Sequence, residues 1–350
     1  LAGIALVLAL GHSPGLAAII PVGGACMLVD AITAANTDAA TGGCPAGSGA
    51  DTIVLPAGST QTLTEVNNRT YGPTGLPVIS SVITIAEQGS MIVRTPEVPE
   101  FRIVAVGSGD LTLQETTVSG GVSAPRVEGG YYIGGGVANY SGTLTVTDCA
   151  ISGNAASRGG GVSNEGTSTL VRTLVSGNTA SYGPELFNTG TVLADNHNLF
   201  GVDGTAGVEG ITPGAMDIVP PIGVQLADIL DPTLANNGGP TQTYALVPGS
   251  PAIDASGTDC TDANGDPLPT DQRGRPRMVD GDGGGTAACD IGAFEFFPIV
   301  NDFVMLDSDP ETAFDPTPRR CVSPSLSSRN SRATTGCSMQ RRGPKALAPP

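Results

Sequence analysis

The chain has 350 residues, of which 50 are glycine and 28 proline, and it contains eight Phe, six Tyr and no Trp. Coiled coils and helix bundles need long runs rich in Ala, Leu, Glu and Lys, and collagen needs glycine at every third position, so all three are excluded. A hydrophobic fraction of 39% also excludes a fully disordered chain, which leaves an all-β protein with many tight turns. The net charge of −17 is unevenly distributed. Residues 319–350 carry seven basic residues and no acid, so residues 1–318 hold nine Arg, no Lys and all 33 acids, a net of −24. Binding to nucleic acid or to anionic lipid rests on Lys and Arg, so neither is an expected partner.

Leu1 to Leu10 form an uninterrupted apolar run, followed by GHSPGLAA with small residues at Gly15 and Ala17. Residues 1–18 therefore read as a secretory signal that lacks its basic start. The run is well short of the ~20 residues that span a bilayer, and no transmembrane segment is expected. An extracellular or bacterial outer-surface location follows. Cys26 and Cys44 flank one short loop, and Cys260 and Cys289 flank another rich in Asp and Gly. All four are disulfide candidates after export, with connectivity open. Cys149 stands alone, and no CxxC spacing suggests zinc. Asp30 to Asn36 predict a short amphipathic helix that would cover an open sheet edge.

The strongest signal is internal repetition. TLTVTDCAISGNAASRGGGVSNEG, from Thr143 to Gly166, aligns with TSTLVRTLVSGNTASYGPELFNTG, from Thr167 to Gly190, at a spacing of 24. Apolar columns result. Leu111, Leu144, Ser168 and Val192 share one; Leu113, Val146, Leu170 and Ala194 a second; Val118, Ile151, Val175 and Leu199 a third; Val137, Val162 and Leu186 a fourth. Between them apolar and polar residues alternate, the period-2 signature of strands with one buried face. Gly-rich segments supply positive-φ turns. Stacked units bury like on like, as in a solenoid. The Asn139, Asn164 and Asn188 column predicts a ladder of stacked side-chain amides.

In these residues the chain resembles bacterial right-handed parallel β-helix surface proteins with polymorphic-outer-membrane-protein-type repeats. The resemblance is clear over residues 103–201, and the right-handedness is implied by it alone. CMLVDAI from Cys26, AAN from Ala34 and DTIVLPAG from Asp51 are similar to a CSLREX-type N-terminal domain. NGGPTQT from Asn237, PGSPAID from Pro248, DQRGRPR from Asp271 and CDIGAFEF from Cys289 are similar to a choice-of-anchor Q domain.

Enzymes on such scaffolds act on polysaccharides, with paired carboxylates for hydrolysis or a base plus charge neutralisation for elimination. Glu115, Asp148, Arg172 and Asn196 fall in one column that should face outward. Glu115 and Asp148 are the catalytic candidates, with Arg172 beside Asp148, but the favoured reading of all three is a solvated column with a surface ion pair of little energetic weight. His197 falls with Thr116, Cys149 and Thr173 and should pack at the wall of the last coil. Asp262, Asn264 and Asp266 alternate as in a Ca²⁺ loop, but Pro267 and Arg273 break the full EF-hand pattern. Calcium is thus the one cofactor to which the residues point, and none is required. Tyr131, Tyr132, Tyr140 and Tyr182 lie near successive Gly turns and could offer a stacking platform for sugars.

The expected architecture is an all-β, single-stranded right-handed parallel β-helix, a pectin-lyase-like solenoid of ~24-residue coils. Residues 1–18 are the truncated signal, 19–58 the N-terminal cap, 59–201 the coils, 202–297 the choice-of-anchor Q-like part, and 298–350 a linker and disordered basic tail. The expected role is structural or adhesive display by a monomer, toward an extracellular polysaccharide or a host or neighbouring cell surface. Cleavage of an extracellular polysaccharide, as lyase or glycoside hydrolase, is the alternative.

Overall fold

The computed structural model describes residues 17–86, 90–123, 133–194, 196–258, 260–261 and 265–298. The signal assigned to residues 1–18 lies almost wholly outside these residues, as do the basic tail, Tyr131, Tyr132, Asp262 and Asn264.

The described residues are mostly β, in three large parallel sheets and a small parallel pair, Val122–Ser123 with Ala155–Ala156. Seven strands make the first: Ile19–Pro21, Ala50–Val54, Val82–Ala86, Asp110–Gln114, Thr143–Thr147, Thr167–Val171 and Thr191–Leu193. Six make the second: Thr60–Leu63, Met91–Arg94, Thr117–Ser119, Ala150–Ser152, Leu174–Val175 and Leu199–Phe200. Five make the third: Val104–Val106, Val137–Asn139, Val162–Asn164, Leu186–Asn188 and Val208–Glu209. From Asp110 onward the chain visits first, second and third sheet in rotation, and strand order within each sheet follows sequence order. Each strand therefore pairs with its counterpart one circuit away. Regular pairing continues past residue 201, since Val208–Glu209 pairs with Leu186 and Phe187.

The predicted columns are the register of these sheets. Leu144 pairs with Leu111 and Ser168, Val146 with Leu113 and Leu170, and Val162 with Val137 and Leu186. All are buried in one core that also holds Ile53, Ile83 and Ile85. Ser168 is tolerated there because its hydroxyl donates to Asn164 Oδ1 at 2.7 Å. One column needs correction: Val175 pairs with Phe200, and Leu199 with Leu174. An extra residue enters the chain between the Thr169–Leu193 pair and this one.

The predicted helix forms at Leu28–Thr37 and buries Leu28, Ala31, Ile32, Ala34 and Ala35. Asp30 in its first turn suits the positive end of the helix dipole. At the other end, Asn36 Nδ2 donates to Val78 O at 2.8 Å and Oδ1 accepts from Ser80 N at 2.9 Å, which tie the cap to the segment leading into the strand Val82–Ala86. Cys26 and Cys44 bracket this helix in a disulfide, and Cys260 is bonded to Cys289.

The amide ladder is present. Asn139 Nδ2 donates to Asn164 Oδ1 and Asn164 Nδ2 to Asn188 Oδ1, both at 2.8 Å. The same nitrogens reach Thr167 O and Thr191 O, locking each third-sheet strand to a first-sheet strand of the next circuit. Glycine is required where neighbouring circuits touch backbone to backbone. A Cβ on Gly160 would lie 2.4 Å from Thr179 O, and one on Gly135 2.4 Å from Ala155 O.

Residues 211–298 have little regular structure: a 3-10 turn at Leu226–Asp228 and a short antiparallel pair, Ala235–Asn236 with Gln242–Thr243. They nonetheless build a second core in which Ile229, Leu230, Tyr244, Leu246, Ile291 and Phe294 pack with Leu174 and Leu199. Tyr244 Oη lies 2.7 Å from Ser119 Oγ, and Gln272 accepts from Thr117 Oγ1 at 2.7 Å and donates to Ser90 O. The outer face of the second sheet is thus covered, and its strands Thr117–Ser119 and Ala150–Ser152 are buried on both sides.

Candidate functional site: a buried charge cluster

Glu115, Asp148 and Arg172 stand at successive turns between the first and second sheets, with φ of 46°, 51° and 44°. Left-handed backbone favours glycine or asparagine, and a larger side chain there costs about 1–3 kcal/mol. The conformation is held by the ladder running through the corner: Glu115 N donates to Thr147 O, Asp148 N to Val171 O and Arg172 N to Asn196 O. Charged residues in place of the easier glycine imply that their side chains are needed. The fourth member of this corner is His197, φ 58°, rather than Asn196. Asn198 takes the inward place beside Thr173, whose N–H it accepts at 3.0 Å. His197 Nδ1 lies 3.3 Å from Ala255 O.

The expected solvated column is instead buried, with Glu115 and Arg172 5% exposed and Asp148 0%. Arg172 grips Asp148 with both arms of its fork, Nε to Oδ1 at 3.0 Å and Nη2 to Oδ2 at 2.7 Å. Arg277 closes the group from the C-terminal segment, with no exposed side-chain surface. Its Nη1 lies 3.4 Å from Asp148 Oδ1 and 3.9 Å from Glu295 Oε2, and its Nε 3.7 Å from Glu115 Oε1. It also donates to Gly292 O at 3.0 Å, while Gly292 N donates to Arg172 O at 2.8 Å.

A second layer fixes Arg277. Asp271 accepts from the backbone of Arg273, Arg275 and Glu295 and pairs with the Arg273 guanidinium at 2.6 Å. Arg273 lies over the Phe294 ring, 3.6 Å from its centroid, and donates to Glu295 O. Glu295 accepts from Val279 N and Asp290 N, and Asp290 from Asp254 N and Phe296 N. Asp271, Arg273, Arg277, Asp290 and Glu295 come from the two motifs DQRGRPR and CDIGAFEF, here interlocked.

Five carboxyl groups thus face three guanidinium groups. Burial pushes Glu115 up to about 8 against the pull of Arg277. Burial likewise raises Glu295 to about 8, with Asp290 adding to it, and Asp290 to about 7. Burial works against the charge of Arg277 too, but Asp148, Glu115, Glu295 and Asp271 outweigh it and raise the guanidinium above its ordinary value. Chemically this is a cluster of salt bridges, Asp148 with Arg172 and Asp271 with Arg273, and of buried acids close to Arg277, closed to solvent and holding two parts of the chain together. Cys149, next to Asp148, faces the core, where burial lifts its thiol to about 12 and makes it inert.

Two further groups lie outside the candidate site residues named from the sequence. Asn154 Nδ2 donates to Asn178 Oδ1, and Asn178 Nδ2 donates to the buried Glu185, a second ladder ended by a carboxyl. The SGN repeat carried a signal for its two asparagines. Asp254, Asp280 and Asp282 offer ligand oxygens within 4.8 Å of one another, a set that could hold a hard cation. This lies in the same C-terminal loops as Asp266, the one described residue of the predicted Ca²⁺ trio, but does not include it. Tyr140 stacks on Tyr71, centroids 4.1 Å apart, whereas Tyr182 lies beside Arg158. No helix among the described residues is long and apolar enough to cross a membrane. No family model, curated protein or solved structure matches the chain.

Proposed function

We propose that the chain is an exported bacterial display or adhesion module, a single right-handed parallel β-helix without catalytic activity. The winding is supported by the rotation of the chain through three parallel sheets and by in-register pairing of successive circuits, 24 residues apart along the first sheet from Thr143 to Thr191. Export is supported by two disulfides and by the apolar run at Leu1 to Leu10. The CSLREX-like cap and the choice-of-anchor Q-like segment rest on the motifs quoted above.

The observation that carries the non-catalytic reading is the burial of Glu115 and Asp148 beneath Arg277. A glycosidic bond cannot reach carboxyl groups that are at most 5% exposed, and a general acid must lie within hydrogen-bond reach of its substrate. The test uses the full chain against plant, algal and bacterial polysaccharides, with and without Ca²⁺. Binding without new reducing or unsaturated ends is expected. Product release that disappears on Glu115→Gln or Asp148→Asn would overturn the proposal and restore the polysaccharide lyase or hydrolase.

A further inference from the structure

The outer face of the first sheet carries a row of threonines. Thr52 pairs with Thr84, Thr84 with Thr112, Thr112 with Thr145 and Thr145 with Thr169, five in direct register. Ile19 precedes the row and Leu193 ends it, 69% and 57% exposed. A second row two residues away along the strands holds Thr143, Thr167 and Thr191 in register. Their hydroxyls make no hydrogen bond to any other described residue in either row.

Strand propensity alone would also admit Val, Ile or Tyr at such positions. Instead a body with 33 acids places none in the five-threonine row, and only Asp110, beside Thr143 in the second, brings a charge to the array. The rows contain no aromatic residue, which sugar recognition by stacking requires. What the face offers is methyl and hydroxyl groups on a two-dimensional grid. Its spacings are about 4.8 Å between strands and about 6.6 Å between alternate residues along a strand. The spacing between strands is close to the shorter of the two perpendicular oxygen repeats on a prism plane of hexagonal ice, and the spacing along a strand is about a tenth shorter than the longer one.

The grid is also rigid. Threonine is stiff at χ1, so little rotamer freedom is lost when its hydroxyls engage an ordered surface. The asparagine ladder bonds to Thr167 O and Thr191 O, the first residues of two of these strands, and fixes their pitch. Side-chain ladders of this kind are what keep a many-stranded sheet flat. We infer that the threonine face of the first sheet binds crystalline water, the hydroxyls replacing lattice oxygens and the methyl groups filling the gaps between them. This inference does not depend on the display reading, and its ligand is neither a polysaccharide nor a second copy of the chain.

The test measures ice-crystal shaping, thermal hysteresis and recrystallisation inhibition by the full chain. Thr112→Lys and Thr145→Lys each place a flexible charge in the middle of the row, on different strands, and Ile222→Lys alters an exposed residue elsewhere. Thermal midpoints establish that each variant is folded. The wild type and Ile222→Lys should shape crystals, and both threonine variants should lose the effect. An inactive wild type overturns the inference, as does activity that survives in both threonine variants. Binding to a crystalline polysaccharide that the threonine variants lose, without any effect on ice, overturns it in favour of a carbohydrate ligand.

Discussion

Replacement of Arg277 by Met tests the role of the buried cluster. The side chain has no exposed surface and is the cation shared by Glu115, Asp148 and Glu295. Removing one partner of a buried pair costs about 3–5 kcal/mol, because the carboxylates left behind stay desolvated. Since a domain of ordinary stability has about 5–15 kcal/mol in total, the loss is a large share. It should also depend on pH. Arg277 lowers the proton affinity of Glu115 and Glu295, so without it both hold a proton to still higher pH. At pH 5.5 these two carboxyls are neutral in either protein and the missing cation is felt mainly at Asp148. At pH 8.5 the wild type gains from ionised pairs that the variant lacks, and the gap widens. Urea unfolding at the two pH values measures both quantities, and limited proteolysis reports whether residues 211–298 detach first. Destabilisation below about 1 kcal/mol at pH 8.5, the range of an exposed ion pair, or a gap that narrows with rising pH, would refute the reasoning.

Three further outcomes are expected. Glu115 and Glu185 both sit near 8 in the folded chain against 4.5 as ordinary carboxyls, so the folded state binds more protons between these values. Their contribution is therefore fully present below pH 4.5 and lost as pH rises toward 8, at up to about 1.4 kcal/mol per unit per group. Glu115→Gln should flatten the fall in thermal midpoint between pH 5 and 8, and an unchanged slope would contradict the burial of an uncompensated carboxyl. Asn164→Ala removes the middle of the amide ladder and strands the partner groups of Asn139 and Asn188, at about 1–3 kcal/mol in urea unfolding, whereas a merely surface amide would cost nothing measurable. Gly160→Ala drives a methyl group into Thr179 O and should cost at least as much as overpacking a core, about 1–3 kcal/mol, while Gly223→Ala, with nothing within 4 Å, should suffer only the backbone penalty of its φ of 96°.

The sheets were legible because their columns are chemically uniform. Val146 and Leu170, Ile151 and Val175, and Val162 and Leu186 are apolar at a spacing of 24, and three asparagines share one turn. The corner column was misread because its members, Glu115, Asp148, Arg172 and His197, share a backbone conformation and no side-chain type. A constant period placed Asn196 there, but the extra residue before Leu199 moved His197 into the left-handed position. Their burial was invisible for a different reason. Thr117, Ser119, Ala150 and Ser152 alternate in the sequence as a half-exposed strand would. What covers them, Tyr244 and Gln272, arrives 125 and 155 residues later in loops with no period. DQRGRPR and CDIGAFEF were recognisable as motifs, yet nothing in either string indicates that Asp271 accepts from Glu295 N or that Arg277 reaches Asp148.

Why charge rather than an apolar patch fastens residues 211–298 follows from what the two contacts can specify. Buried ion pairs are no more stabilising than well-packed apolar groups of the same volume, so stability is a poor reason for this cluster. The outer face of the second sheet presents Thr117 and Ser119 on one circuit and Ala150 and Ser152 on the next, small side chains that by themselves distinguish the two circuits poorly. The corner column breaks that degeneracy. Among the described members of that column, only Glu115, Asp148 and Arg172 place two acids beside a base, and there Arg277 meets both acids while Gly292 N meets Arg172 O. A shift by one circuit toward the C-terminus would bring Arg277 against Arg172 itself, a buried like-charge contact. The same logic explains charged residues at φ positions that glycine would occupy with less strain: their cost at each corner sets the one register in which the second core can close.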